Sequence, residues 1–362
     1  MNSFLLLSVF YLLTTLLLIG EGTSSRETFT YYYRPLNPTA WKHFNWTSIT
    51  TLAISNPLES FQPPSVEDSE LISTAKHQGV RVVGMVSFQN PLIPQNTWTE
   101  TTRSKWVAQV VAMVTINNLD GIQVDVEYGD WSWVGGWYGS ELVSLIASLR
   151  QSLPSSAQLT MAINVFSDMT FDLSGHTPMY PLLDLAKSSD YFIFMGYDLQ
   201  CDVACPPRLG NSNTTLLEHQ MSVFIDKWGL DAGQIILALP WYVYGYPCTW
   251  ETPVDGEWCH LNTACACQGE WQMSFSLVPS HGSHDKVFWD AVADEDFLNY
   301  MKDGVWHQVW FEVAKTLQSK YALINKWGMR GAAVWGAEKL TYEPMMQDTV
   351  EMWDQFASVL KF

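Results

Sequence analysis

Two carboxylic acids lie two residues apart in the segment LDGIQVDVEY, residues 119–128. If this segment is a β-strand, Gln123, Asp125 and Glu127 share one face and aliphatic residues form the other, because side chains alternate along a strand. Burying such carboxylates is costly unless they are hydrogen-bonded or used in chemistry. A carboxyl whose pKa is raised by burial or a neighbouring charge can donate a proton, so the pair suits acid–base catalysis. An exposed sheet face with ordinary acids is the alternative interpretation.

The segment resembles the signature of glycoside hydrolase family 18, in which Asp-Gly opens the strand and acidic residues follow at alternate positions. Here the matching residues are Asp120-Gly121, then Gln123, Asp125 and Glu127. Most chitinases of the family have an aspartate at the position of Gln123, whereas its di-N-acetylchitobiase branch tends to have an uncharged amide. The resemblance implies that Glu127 is the catalytic acid, and the amide favours the chitobiase branch.

Further segments resemble the family in the same order along the chain. Residues 194–198 are similar to its Met-x-Tyr-Asp element, which implies that the Tyr197 hydroxyl binds the acetamido carbonyl of the substrate. The other substrate-binding residues that the resemblance implies are Gln123, Asp198, Trp241, Trp310, Glu312 and Trp335. Chitobiases usually have an aspartate where this chain has Glu312, and the resemblance implies that Trp335 forms the floor beneath the reacting sugar. Taken singly, Tyr197 also fits a core tyrosine, Trp335 a packing residue and Asp198 a strand-end cap.

Family 18 enzymes use substrate-assisted catalysis instead of two protein carboxylates. The resemblance implies that Glu127 protonates the glycosidic oxygen while the carbonyl oxygen of the sugar's own 2-acetamido group attacks C1. Asp125 would orient the acetamide N–H, and Tyr197 would position its carbonyl. Gln123 can hydrogen-bond Asp125 but cannot share its charge, so the coupled titration of an Asp–Asp pair is not expected. Neither a metal nor a cofactor is implied.

The surrounding sequence alternates between short β-rich runs and amphipathic runs of helical periodicity. The predicted strands are residues 29–33, 50–55, 80–87, 122–127, 159–164, 191–197, 235–239 and 331–335. The predicted helices are residues 66–78, 102–117, 141–153, 180–187, 216–228 and 315–327. This alternation predicts an α/β fold, a (β/α)8 TIM barrel, in which working residues lie at the C-terminal ends of the strands.

The alternation is interrupted at residues 241–310, which we interpret as an aromatic, cysteine-rich insertion after the seventh strand, within a catalytic barrel of residues 25–362. The cysteines are Cys201, Cys205, Cys248, Cys259, Cys265 and Cys267. Their even number and narrow distribution predict disulfides in an oxidising compartment, with the pairing open. Zinc bound by Cys265, Cys267 and His260 is the alternative.

An apolar run at residues 4–19, followed by small and polar residues, is typical of a secretory signal peptide, which we place at residues 1–24. A signal anchor is the alternative, because the run nearly reaches the length of a short membrane span and lacks a basic flank. Asn45 and Asn213 lie in glycosylation sequons. We expect a lysosomal or extracellular protein whose mature chain is not stably inserted in a membrane.

The formal net charge of -18 argues against nucleic acids and anionic membrane surfaces as partners. The resemblance instead implies an oligosaccharide substrate containing N-acetylglucosamine (GlcNAc). The chitobiase branch implies removal of the reducing-end GlcNAc from the core of free N-linked oligosaccharides, and we expect a monomer. A secreted chitinase and a catalytically inactive chitinase-like lectin are the alternatives. Glu127 argues against the lectin, whereas Gln123 leaves it open.

Overall fold

The parallel strands of this protein close into a barrel. The computed structural model describes residues 25–33, 37–55, 65–87, 99–126, 138–165, 180–199, 210–248, 270–275 and 287–361. The barrel strands are β1 (Glu27–Tyr33), β2 (Thr51–Ser55), β3 (Arg81–Ser87), β4 (Gly121–Asp125), β5 (Gln158–Asn164), β6 (Tyr191–Met195), β7 (Ile235–Pro240) and β13 (Gly331–Trp335). They follow one another around the barrel in the order β1-β13-β7-β6-β5-β4-β3-β2. The predicted (β/α)8 barrel is therefore confirmed.

Helices alternate with these strands and cover the outside of the barrel. They are α1 (Val66–His77), α2 (Glu100–Ile116), α3 (Tyr138–Ser152), α4 (Leu182–Leu185), α5 (Thr214–Met221), α6 (Ala314–Trp327) and α7 (Gln347–Ser358). Short 3-10 turns lie at Ala40–His43, Trp46–Ser48, Ala232–Gln234, Ala337–Lys339 and Val359–Lys361. The helix predicted over residues 216–228 changes to π-helical hydrogen bonding at Ser222–Lys227. The helix α4 is shorter than predicted, because Pro181 forms its N-cap. Within the described residues, no helix is long and apolar enough to cross a membrane.

Alternation along each strand divides the apolar residues between two cores. On β1, Phe29 and Tyr31 belong to the core inside the barrel, whereas Tyr32 belongs to the core between strands and helices. On β4, Ile122 and Val124 likewise belong to the outer core. Burying each large apolar side chain contributes about 1.5–3 kcal/mol. The polar residues between them on β4 must therefore face inward.

A second, antiparallel sheet lies between β7 and β13 in the chain. Its strands are β8 (Val243–Pro247), β9 (Glu270–Met273), β10 (Val287–Asp290), β11 (Glu295–Lys302) and β12 (Val305–Phe311), in the order β10-β11-β12-β8-β9. Cys248 follows β8 and is disulfide-bonded. The other cysteines and His260 lie outside the described residues, so the pairing and the zinc alternative are not tested there.

One of the two glycosylation sequons has a structural role that competes with modification. The Asn213 side chain caps α5 by accepting the Leu216 N–H at 3.0 Å, and the residue is only 1% exposed. A glycan would be attached to the Nδ2 of this amide, which is enclosed by protein, so the side chain would have to leave its capping position. Asn45 is half-buried and stays a predicted site.

Candidate active site

A pocket lies at the C-terminal ends of the barrel strands, where this fold places its working residues. It contains about 380 Å³ of empty space, counted with its open mouth. Its lining residues are Tyr31, Met85, Gln123, Asp125, Ala162, Met195, Tyr197, Asp198 and Trp335. The structure thus brings together five residues that the sequence singled out, from β4, from the segment after β6 and from β13.

The Asp-Gly pair that opens β4 has a structural role. A Cβ on Gly121 would lie 2.1 Å from the carbonyl oxygen of Gln158, so only glycine fits where β4 approaches β5. The Asp120 carboxylate accepts the Val82 N–H at 2.8 Å and pairs with Lys76 at 2.9 Å. The two residues therefore fix β4 against both neighbouring strands, and with it the inward-facing Gln123 and Asp125.

A neutral hydrogen-bonded pair lies at the base of the pocket. The Gln123 side chain is 1% exposed, and its Oε1 accepts the Tyr31 hydroxyl at 2.6 Å. An amide paired with a hydroxyl costs less to bury than a carboxylate would. The ring centroids of Tyr31 and Trp335 lie 5.1 Å apart. Tyr31 did not figure in the sequence predictions, although its alternation with Tyr32 on β1 could have indicated it.

The backbone that follows β4 is held by a buried tyrosine. The Tyr180 hydroxyl donates to the Val126 carbonyl at 2.8 Å, and Tyr180 is 2% exposed. Asp125, 8% exposed, lies one residue earlier and lines the pocket. Glu127 follows directly and lies outside the described residues, so its predicted role as the acid stays a prediction. The structure fixes the peptide group from which Glu127 extends.

The segment after β6 presents Tyr197 and Asp198 to the pocket. Asp198 has a φ of +55°, and its N–H donates to the Asn211 side-chain oxygen at 2.8 Å. Its carboxylate accepts the hydroxyl of Tyr242, whose ring packs edge-on against Tyr197 at 6.1 Å. Burial, together with the charge and hydrogen bond of Asp198, raises the pKa of the Tyr242 hydroxyl well above its usual value. Tyr242 therefore remains a hydrogen-bond donor to Asp198.

The structure does not bring Trp241, which is predicted to contact substrate, to the pocket. Trp241 is fully buried on the outer side of the barrel, where its ring packs against Trp353 at 4.8 Å and Phe356 at 5.7 Å. Its neighbour Tyr242 takes the inward position instead. The resemblance gave the substrate-binding role to Trp241 and not to Tyr242.

Glu312 and Trp310, at the end of the second sheet, are also enclosed by protein. Glu312 is 1% exposed and pairs with Lys320 at 2.8 Å, so the structure does not bring it to the pocket, and its predicted contact with substrate stays a prediction. Trp310 is 1% exposed, and its ring stacks on Phe297 at 4.6 Å, in the same core as Tyr197. Trp310 therefore supports the pocket wall from behind.

Two buried charges follow Trp335, in the turn Ala337–Lys339. Burial raises the pKa of the Glu338 carboxyl to about 7, although that carboxyl accepts the Tyr33 N–H. Burial lowers the pKa of Lys339 to about 8 against the attraction of Glu338. The Lys339 ammonium lies 5.3 Å from the Tyr242 ring centroid. Neither residue was predicted to be buried near the pocket, because a Glu-Lys pair in a loop is typical of a solvated surface.

Comparison with known proteins identifies the family. Residues 89–339 match the sequence profile of Glycosyl hydrolases family 18. The chain belongs to this family. The residues of this glycoside hydrolase that match the family 18 signature lie on β4, at the pocket. In the described part of the chain, no three His, Cys, Asp or Glu side chains group in a way that could hold a metal ion.

Relatives and solved structures extend over most of this family 18 chain. It is 26% identical to the di-N-acetylchitobiase of Rattus norvegicus over 335 residues, 86% of this chain and 83% of the relative. It is 24% identical to the probable di-N-acetylchitobiase 1 of Dictyostelium discoideum, over 84% of this chain and 82% of the relative. The fold is similar to a Cycas revoluta family 18 chitinase in complex with (GlcNAc)3, with a TM-score of 0.70 at 14% identity, covering 92% of this chain and 99% of that one.

Proposed function

We propose that this glycoside hydrolase cleaves GlcNAc-β1,4-GlcNAc bonds with retention of configuration, assisted by the substrate's own 2-acetamido group. The observation that carries the proposal is the grouping of Asp125, Tyr197 and Trp335 around one pocket. Such a reaction needs an aromatic ring for the apolar face of a sugar. It also needs a hydroxyl and a carboxylate for the acetamide. Glu127 follows this pocket directly in the sequence.

The first step breaks the glycosidic bond. The Glu127 carboxyl donates its proton to the glycosidic oxygen, which leaves with the bonding electron pair. The acetamido carbonyl oxygen forms a bond to C1 at the same time and produces an oxazolinium ion. Asp125 accepts the acetamide N–H and stabilises the positive charge, while Tyr197 positions the carbonyl oxygen. Trp335 supports the sugar ring from below.

The second step restores the enzyme. Water attacks C1 and gives a proton to the Glu127 carboxylate, and the bond between C1 and the acetamido oxygen breaks. Two displacements at C1 produce overall retention. Asp125 carries the charge on the β4 face, because Gln123 is neutral and already accepts from Tyr31. We therefore do not expect the coupled titration of an Asp–Asp pair at residues 123 and 125.

The relatives favour the core of free N-linked oligosaccharides as the natural substrate. Those quoted above, at 24% and 26% identity, are named di-N-acetylchitobiases and align over more than four fifths of this chain. We therefore propose that the enzyme removes the reducing-end GlcNAc from that core. The (GlcNAc)3 complex of the Cycas chitinase makes chitin oligomers the competing substrate class.

Mass spectrometry of the products distinguishes these substrates. The purified protein at about pH 5, and a Glu127→Gln variant as control, are incubated with a free high-mannose glycan ending in GlcNAc-GlcNAc and with a chitin hexamer; the acidic pH keeps a carboxyl acid protonated. Release of a single GlcNAc from the glycan supports the proposal. Dimers from the hexamer with the glycan intact contradict the proposed substrate and indicate a chitinase. Binding of both without cleavage indicates a lectin.

We further propose that the protein enters the secretory pathway through residues 1–24, resides in lysosomes or outside the cell, and acts as a monomer with further disulfides and a glycan at Asn45. Expression of the full sequence in a secreting eukaryotic cell tests this route. A mature N-terminus near residue 25 and a mass lowered by Asn45→Gln support it. Retention of residues 1–24 in membranes indicates the signal anchor. Light scattering of the product measures the oligomeric state.

A further inference from the structure

We propose that Glu295 is a positioning residue for the active site, which holds Tyr197 and Asp198 in place through Asn211 and Ser212. Glu295 is the first residue of β11 in the second sheet, and it is not among the residues that line the pocket. The proposal adds a residue to the proposed glycosidase reaction and rests on that reaction only for its kinetic readout.

The Glu295 side chain is buried against a turn that precedes α5. It is 0% exposed, and its Oε2 accepts the Ser212 N–H at 3.1 Å. The Asn211 N–H also faces this carboxyl. Gly210, with a φ of +65°, leaves room for it, because a Cβ there would lie 2.3 Å from the same oxygen. The turn is thus shaped around one carboxyl group.

The same turn holds the segment that carries Tyr197 and Asp198. The Asn211 side-chain oxygen accepts the Asp198 N–H at 2.8 Å, and the Asn211 carbonyl accepts the Leu199 N–H at 3.2 Å. The Ser212 hydroxyl donates to the Gly196 carbonyl at 2.6 Å. Asp198 has a left-handed backbone, which a non-glycine residue adopts only when its surroundings require it. These hydrogen bonds hold Asp198 in that conformation, and Glu295 holds the turn that makes them.

The charges around Glu295 show that it is an extra acid in an already neutralised cluster. Glu312 of β12 pairs with Lys320 of α6 at 2.8 Å, and Lys320 also donates to the Asp294 carbonyl at 2.7 Å. Glu295 therefore adds a second buried carboxyl beside an ion pair that is complete without it. Burying such a group is costly, so an apolar residue would serve stability better unless the turn needs an acceptor.

The protonation state of Glu295 follows from this arrangement. Burial, followed by the negative charge of Glu312, raises the pKa of Glu295 well above its usual value, and Lys320 opposes the shift. Among the described residues of the neighbouring strands and turns, the other charged groups are Asp198, Asp290, Asp294, and Asp296 with Lys315. Asp290 accepts the Val292 and Ala293 N–H groups of its own hairpin. The Ser212 and Asn211 N–H groups also oppose the shift, because their hydrogen bonds favour the ionised carboxylate. In either protonation state Oε2 is the acceptor that the Ser212 N–H meets.

Three variants test this role. Glu295→Ala removes the acceptor, Glu295→Gln keeps an acceptor without the charge, and Leu298→Ala creates a cavity under the same strand, since Leu298 is buried in the outer core. Hydrogen exchange of the peptide covering residues 196–199 reports the segment directly. Hydrolysis of a fluorogenic GlcNAc oligomer reports kcat and KM across pH.

We expect Glu295→Ala to raise exchange in residues 196–199 and to lower kcat roughly tenfold to a hundredfold, since displacing a site by about 1 Å has effects of that size. Leu298→Ala should lower the melting temperature and leave both readouts near wild type. Glu295→Gln keeps an acceptor for the turn, so it should retain exchange and kcat near wild type across pH. If Glu295→Ala matches Leu298→Ala, or a folded Glu295→Gln loses kcat and gains exchange as Glu295→Ala is expected to do, the role is wrong.

The exchange measurement does not depend on the reaction. If the wild-type protein cleaves no GlcNAc oligomer, the proposed function fails while exchange still decides whether Glu295 holds the segment. If Glu295→Ala does not fold, Glu295→Asp still decides, because the shorter side chain keeps a carboxyl but withdraws it from the Ser212 N–H. Wild-type exchange of residues 196–199 and wild-type kcat in a folded Glu295→Asp variant overturn the proposal.

Discussion

At the scale of single residues, tyrosine hydroxyls hold the polar groups of the pocket by hydrogen bonds. Tyr31 donates to Gln123, and Tyr242 donates to Asp198. Each hydroxyl is paired inside protein, where a hydrogen bond is strong and an unpaired polar group is costly. Tyr180 holds the backbone in the same way, because its hydroxyl donates to the Val126 carbonyl, which precedes Glu127.

Tyr180→Phe is predicted to affect catalysis more than stability. Loss of the bond to the Val126 carbonyl should lower kcat about tenfold through misplacement of Glu127, with KM little changed. The cost in unfolding free energy should be about 1–2 kcal/mol. Tyr32→Phe is the matched control, since the Tyr32 hydroxyl donates to the Asn37 carbonyl at 3.1 Å outside the pocket. Equal kcat values in the two variants would rule out the positioning role of Tyr180.

The residues of the pocket could be predicted only in part. Period-two alternation was enough to place Gln123 and Asp125 on the inner face of β4. The same alternation continues past the end of β7, since Leu239 and Trp241 lie in the outer core and Tyr242 in the inner one. It could therefore have placed Trp241 away from the pocket. The burial of Lys339 and Glu312 could not be predicted, since it depends on contacts with strands far away in the sequence.

At the scale of elements, the close approach of β4 and β5 positions the catalytic strand. Gly121 pairs with Gln158 in the parallel ladder, and the Asp120 carboxylate bonds β3 on the other side. The predicted barrel strands agree with the structure to within a few residues, because buried parallel strands form short apolar runs between helices. The second sheet was not predicted strand by strand. Its pairings join residues as far apart as Tyr244 and Trp310, and sequence periodicity does not show such pairings.

Gly121→Ala is predicted to prevent stable folding or to lower the unfolding free energy by more than about 3 kcal/mol, since its Cβ would overlap backbone atoms of Gln158. Gly79→Ala is the control, because nothing lies within 4 Å of a Cβ there. Its cost should be about 1–2 kcal/mol, owing to its φ of +77°. Urea unfolding of both variants measures the difference. Similar losses would contradict the close-approach argument.

At the scale of the whole molecule, several buried carboxyls favour an acidic environment. Burial raises the pKa of Glu295, of Glu312, of Asp296 to about 6 and of Glu338 from 4.5 to about 7. Each such group holds its proton in the folded state at a pH where the unfolded chain has lost it. Stabilisation is therefore complete below about pH 4.5 and is lost as the pH rises through the folded pKa.

The protein is therefore predicted to melt at a higher temperature near pH 5 than near pH 7.5. Raising the pKa of Glu338 from 4.5 to about 7 corresponds to at most about 3 kcal/mol, or at most roughly 4 °C in melting temperature for a chain of this length. Scanning fluorimetry across this range measures the slope, and Glu338→Gln should flatten it. A melting temperature that rises toward neutral pH would contradict the assignment of these protons. The composition alone, with a net charge of -18, indicated an acidic setting but not which carboxyls respond.

The central claim is that Glu127 and the substrate's acetamido group act together to cleave the bond with retention. Proton NMR of the first product formed from a GlcNAc oligomer tests this most directly, with Glu127→Gln as the control for background hydrolysis. The account predicts that the new reducing end appears first as the β anomer and that the variant forms almost no product. An α anomer at the earliest times, or a variant that retains more than a few per cent of the rate, would contradict it.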